Sequence, residues 1–161
     1  MPAAMMSAVT TASKRPVEDP RVAEFLDSAA RQPTGLAIEG EAGIGKTTLW
    51  LSLLDHARAR GFRVLTARVG QAETGMAFAA LADLVSEVGA EHFAALPALQ
   101  RLAMDRVLLR AGTEGPPTDQ RVVAAAFVSL LRRLQGPDTQ TPVLVAIDDA
   151  QWLDSSSRTA V

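Results

Sequence analysis

Residues 40–50 read GEAGIGKTTLW, and the fold turns on how this stretch is read. Gly40, Gly45, Lys46 and Thr47 fit G-x-x-x-x-G-K-[ST], a pattern that carries meaning only between a strand and a helix. Both flanks are present. Gly35-Leu36-Ala37-Ile38-Glu39 is a short apolar run bounded by glycine, which predicts a buried strand. From Lys46 onward, Leu49, Trp50, Leu53, Leu54 and Ala57 recur at helical spacing until Gly61 offers a stop.

Each loop residue has a physical task in that setting. Glycines at 40, 43 and 45 permit positive φ and present no Cβ, so successive N–H groups of Gly40-Glu41-Ala42-Gly43-Ile44-Gly45 can converge on a di- or triphosphate. The helix beginning near Lys46 adds the positive end of its dipole. Lys46 supplies a point charge for the β and γ phosphates, and the Thr47 hydroxyl is a hard oxygen ligand for Mg²⁺. Thr48 supports the helix start or a phosphate oxygen.

A second half of such a site should be an apolar strand ending in an acid. Val143-Leu144-Val145-Ala146-Ile147 leads into Asp148-Asp149 and meets that requirement. Open α/β sheets bind ligands at the carboxyl ends of their strands. Asp148 is therefore expected to hold Mg²⁺ through water, and Asp149 to polarise an attacking water as general base. Beyond the loop there is no D-x-x-G, N-K-x-D or L-S-G-G-Q segment, which favours ATP over GTP as the nucleotide.

The rest of the chain reads as alternating helices and strands, the pattern of a parallel α/β sheet. Asp19-Pro20 opens a helix carrying Val22, Phe25, Leu26 and Ala29, and residues 62–69 alternate as a second strand. Residues 77–110 predict two or three helices interrupted near Pro97, with apolar faces that include Leu81, Leu84, Val85, Leu99, Leu102, Ala103 and Val107. Residues 112–117 and 137–142 are expected loops, and Thr118 or Asp119 caps the helix between them. Residues 1–16 are expected to form a disordered tail ahead of one domain spanning 17–161.

Composition excludes several functions. With 16 Lys+Arg against 18 Asp+Glu, no basic field is available for direct nucleic-acid binding. The absence of cysteine excludes disulfides and thiolate metal sites. His56 and His92 have no partners at zinc spacing and read as helix-surface residues. No run approaches the roughly 18 apolar residues a membrane span needs, so a soluble, cytoplasmic protein is expected. Trp152 and Leu153 read as apolar anchors, Asp154 and Ser155 to Ser157 as helix caps, Arg132-Arg133 as a solvated face, and Arg68 as a residue on the ligand side of its strand.

With GEAGIGKTTLW and LVAIDDAQWLD both in hand, the chain resembles the ATP-binding domain of large LuxR-type transcriptional regulators, in the STAND branch of AAA-like P-loop ATPases. Residues 64–85, VLTARVGQAETGMAFAALADLV, look like the same family's stretch after the second strand. The resemblance implies a three-layer P-loop NTPase fold, a Walker A site at Gly40 to Thr48, a Walker B site at Asp148 and Asp149, and a nucleotide-dependent switch. It also implies later strands, a sensor, an arginine or lid element, sensing repeats and a helix-turn-helix, so that strands 1–3 of an incomplete domain are expected. The Gly-Arg segment it implies for seating adenine has no counterpart in KRPVEDPRVAEF, residues 14–25. The family's sheet order, 5-1-4-3-2, would leave the strand at Leu36 to Glu39 unpaired on both edges. An isolated chain would then be marginal, aggregation-prone or rearranged, and could self-associate. Two activities follow as alternatives: a switch that turns over Mg-ATP slowly once completed by the missing elements, or a truncated, non-catalytic nucleotide-binding or interaction module.

Overall fold

The computed structural model describes residues 4–7, 19–112, 118–136 and 141–161. Its elements in chain order are β1 (Ala4–Ser7), α1 (Pro20–Ala29), β2 (Leu36–Glu39), α2 (Lys46–Ala59), β3 (Arg63–Arg68), α3 (Ala79–Val85), α4 (Ala90–Ala94), α5 (Ala98–Val107), α6 (Gln120–Gln135), β4 (Val143–Asp148) and α7 (Ser155–Ala160). Short 3₁₀ turns occupy Gln71–Glu73 and Ala150–Trp152. Contact density divides the chain into two compact units, Met1–Val64 and Leu65–Val161. Among the described residues, no helix is long and apolar enough to cross a membrane.

In the first unit β1 and β2 pair in parallel, Ala4 opposite Leu36 and Ser7 opposite Glu39. The connection between them carries α1, the crossover that parallel neighbours require. Two expectations are corrected here. Residues 4–7 of the stretch read as a disordered tail form a strand, and the edge of β2 that they occupy is not orphaned. The physical cause is the same for both: unpaired backbone groups are costly, and a strand supplied from upstream satisfies one row of them. The remainder of residues 1–16 lies outside the described residues, as do residues 113–117 and 137–140 of the two expected loops. Deleting residues 1–7 should strip that edge and lower stability by about 2 kcal/mol, taking a few ladder bonds at their usual net value. Chemical denaturation read alongside light scattering checks it, and an unchanged midpoint would refute the pairing.

Helix α1 starts where Asp19 accepts the Arg21 N–H at 2.9 Å, with Pro20 at the first helical position. It buries Val22 and Leu26. Helix α2 buries Trp50, Leu53, Leu54 and Ala57, the stripe its spacing predicts. It stops at Gly61, where φ is +80°. There the Phe62 N–H reaches the Ala57 carbonyl and the Gly61 N–H the Arg58 carbonyl, both at 3.0 Å. This double closure of a helix end needs a left-handed residue, which glycine adopts without a Cβ penalty. Just before it, Arg60 bonds the Ala23 carbonyl at 3.2 Å and Asp27 at 2.7 Å, fastening the end of α2 to α1.

In the second unit β3 pairs with β4. The Val69 N–H donates to the Asp148 carbonyl at 3.4 Å, so the carboxyl ends of the two strands lie together and the pair is parallel. Val143, Val145 and Ile147 pack against the main core cluster, while Leu144 and Ala146, pointing the other way, are buried as well. A parallel strand covered on both faces should read as a continuous apolar run, as VLVAI does. Helix α6, capped by Asp119 on the Arg121 N–H at 2.8 Å, lays down Val123, Ala126, Phe127, Leu130 and Leu134. It packs along α5. Full burial of a Val, Leu or Phe contributes roughly 1.5–3 kcal/mol, so this stripe is a principal support of the unit.

Three helices, α3 to α5, fill residues 77–110, and Pro97 precedes the first turn of α5. The expected face of α5 is only half right. Ala103, Met104 and Val107 are buried, whereas Leu99 is 65% and Leu102 43% exposed. The apolar residues of α5 exceed what one stripe against α6 can cover, and packing selected the side bearing Met104.

Candidate functional site

The glycine loop lies in the first unit and the acidic strand end in the second. Between β2 and α2, a turn closes with the Ile44 N–H on the Glu41 carbonyl at 3.4 Å. Gly43 has φ +81° and Gly45 φ +101°, the left-handed conformations that let consecutive N–H groups turn inward. Gly40 does not share that conformation. At Gly43 the demand is conformational, since a Cβ added there would meet no atom within 4 Å.

Gly45 is also the N-cap of α2, left-handed and without a side-chain cap. The first N–H groups of a helix have no intrahelical partner, and here no side chain satisfies them. They are available to an anion. Lys46 folds back over the loop, its Nζ bonding the Gly40 carbonyl at 3.0 Å and the Glu41 carbonyl at 2.9 Å. Two of its three donors thus hold the loop's entry, leaving the ammonium at the loop itself. Gly40, Glu41, Ala42 and Gly43 are exposed; Ile44, Gly45 and Lys46 are half-buried; Thr47 and Thr48 are exposed at the helix start.

At the end of β4, Asp148 is half-buried and Asp149 exposed. Asp148 Oδ1 accepts the Asp149 N–H at 3.1 Å. Asp149 sits in the left-handed region, φ 56° and ψ 42°, which aspartate tolerates better than most residues and which swings the chain out of the strand. Its Oδ1 accepts from Gln151 Nε2 at 2.9 Å. Sequence reasoning passed over Gln151, because nothing in residue type or spacing marks a bond between side chains two apart.

Downstream, Trp152 and Leu153 pack against the core cluster, as anchors should. Asp154 caps α7 through the Ser157 N–H at 2.8 Å. The sequence did not show that the same oxygen takes the Phe78 N–H at 2.9 Å, or that Ser157 Oγ takes the Leu81 N–H at 3.1 Å. These bonds fasten the segment after the acids to the start of α3. Phe78 is itself left-handed at φ 63°, a strained state for a bulky residue, and the buried carboxylate holds it there.

Of the remaining candidates, His56 Nδ1 sits 2.7 Å from the Ser52 carbonyl on α2, and His92 lies 3.5 Å from Glu91. Arg132 and Arg133 are exposed. Among the described residues, no group of three His, Cys, Asp or Glu could hold a metal. Mg²⁺ does not require such a group, since it keeps several waters and takes one or two protein oxygens plus substrate phosphates. Threonine hydroxyls and carboxylates are each oxygen donors of the kind it takes.

In comparison with known proteins, the family described as AAA ATPase domain matches residues 18–161. No curated protein and no solved structure matches the chain.

Proposed function

The chain belongs to the AAA ATPase domain family, and on that footing we propose that it binds Mg-ATP on Gly40 to Thr48 and hydrolyses it slowly, as the nucleotide switch of a LuxR-type transcriptional regulator. One observation carries the nucleotide reading: Lys46 folded onto Gly40 and Glu41, beside left-handed Gly43 and Gly45, at the uncapped start of α2. Backbone N–H groups of residues 41 to 48 cradle the phosphates, and Lys46 meets their charge. Thr47 in the first unit and Asp148 in the second each carry an oxygen of the kind Mg²⁺ takes. When bound, Mg²⁺ would supply positive charge against that of the phosphates. Asp149 takes the proton of the attacking water.

The regulator role rests on the resemblance of LVAIDDAQWLD and residues 64–85, and includes no DNA contact by this segment, whose charges nearly balance. Mass measurement of the native product tests it. A product several times heavier than the 17.0 kDa of this sequence supports a multidomain regulator, and one of 17.0 kDa refutes it.

Asp149→Asn tests the chemistry. The amide keeps size and shape but cannot accept the proton, so ATP affinity should stay within about twofold while phosphate release drops by about 100-fold, the low end for general-base catalysis. Titration with a fluorescent ATP analogue and a phosphate-release assay read the two separately. Binding without any phosphate release by the unsubstituted chain would instead favour a non-catalytic nucleotide-binding module.

A further inference from the structure

We propose that Gln151 is a positioning residue for the candidate base, holding the Asp149 carboxylate through the 2.9 Å bond from Nε2 to Oδ1. The proposal rests on the assignment of Asp149 as base, and its test separates the two.

The backbone around Asp149 is held by hydrogen bonds on both sides. Its N–H is bonded to Asp148 Oδ1, and its carbonyl accepts the Trp152 N–H at 2.9 Å. The Leu153 N–H reaches the Ala150 carbonyl at 3.2 Å, closing the 3₁₀ turn, and Trp152 and Leu153 anchor it in the core. The carboxylate is another matter. It projects from an exposed residue, and its side-chain torsions are free unless a partner restrains them. Gln151, carried on the anchored turn, provides the restraint.

The chemistry of the partner matters as much as its place. A neutral amide fixes one oxygen without cancelling the charge, so Oδ2 stays available to accept a proton. A lysine or arginine there would hold the carboxylate equally well and weaken it as a base. Asp148 is also linked to this unit, because the Asp149 N–H that the turn fixes is the donor to Asp148 Oδ1. Gln151 itself bonds only the Asp149 side chain, which the proposal uses in proton transfer, so it acts on turnover and not on nucleotide affinity.

Gln151→Leu removes the donor from an exposed site without disturbing the core. We expect KM for ATP to hold and kcat to drop about 3- to 10-fold, the population change that losing one solvent-exposed hydrogen bond produces. In Asp149→Asn/Gln151→Leu, kcat should equal that of Asp149→Asn alone, since Gln151 works through the carboxylate. Gln151→Glu gives a further readout. At neutral pH it sets two carboxylates against each other and should be slower than Gln151→Leu, recovering relative to wild type as pH falls toward the glutamate range, where a protonated carboxyl can donate. Wild-type kcat in Gln151→Leu alongside a slow Asp149→Asn would overturn the positioning role and leave the base intact. A further loss in the double variant would overturn it too. Turnover undiminished in Asp149→Asn, or absent from the wild type, would bring down the base assignment and this proposal together.

Discussion

Lys46→Ala should abolish ATP binding, weakening it by at least about 100-fold, because a charge-assisted hydrogen bond to phosphate is worth roughly 1.5–3 kcal/mol and the lysine charge attracts the polyphosphate besides. The structure adds a second reason. Lys46 joins the helix start to the Gly40 and Glu41 carbonyls, so its removal frees the loop's entry and raises the cost of ordering it around a ligand. Lys46→Arg should not restore affinity. A planar guanidinium cannot place one compact charge against both carbonyls and a phosphate. Both bonds are exposed, so the variant should unfold with nearly the wild-type midpoint. Isothermal titration with Mg-ATP and a denaturant melt of the same preparation check the two statements, and ATP bound by Lys46→Ala near wild-type affinity would sink the nucleotide assignment.

Asp154→Ala should be strongly destabilising, costing about 2–4 kcal/mol through a lost helix cap and N–H groups left without an acceptor. Asp154 is 2% exposed, and its Oδ1 serves the Ser157 and Phe78 N–H groups. Losing it releases Phe78 from a left-handed state it does not favour, so the beginning of α3 should loosen first. Hydrogen exchange at the Phe78 and Leu81 amides, read with a urea melt, tests this. Unchanged protection at both would refute the clamp.

The same carboxylate confers a pH dependence. Burial pushes the Asp154 pKa up, but hydrogen bonding from Ser157 and from the Phe78 and Ala80 N–H groups outweighs it and holds the carboxyl below its usual range. The folded state therefore favours the ionised form more than the unfolded chain does. That stabilisation is fully present above the unfolded aspartate pKa, about 3.9, and is lost as pH falls through the lower folded value. Asp83 works the other way, its pKa raised by burial and then by the charge of Glu73. The contrast between wild type and Asp154→Asn isolates the clamp: the difference in their stabilities should shrink below about pH 4.

Much of this protein is decided locally, and there its sequence is sufficient. The glycine loop is legible because left-handed φ at 43 and 45 and a cation at 46 are demands of single residues at fixed spacing. The cap at Asp119, the stop at Gly61 and the strand formed by the apolar run VLVAI follow from rules that span a few residues. Tertiary structure decided what depends on distant partners. No local rule could give Ala4–Ser7 to β2, because a free strand edge accepts any segment that can reach it. The choice of Met104 over Leu99 and Leu102 as the buried side of α5 was made by α6. Asp154 reads as an ordinary cap, yet its second partner lies 76 residues upstream. Periodicity and turn chemistry are carried by the chain itself; which edge, face or carboxylate meets which partner is settled only when segments far apart in sequence compete for the same contact.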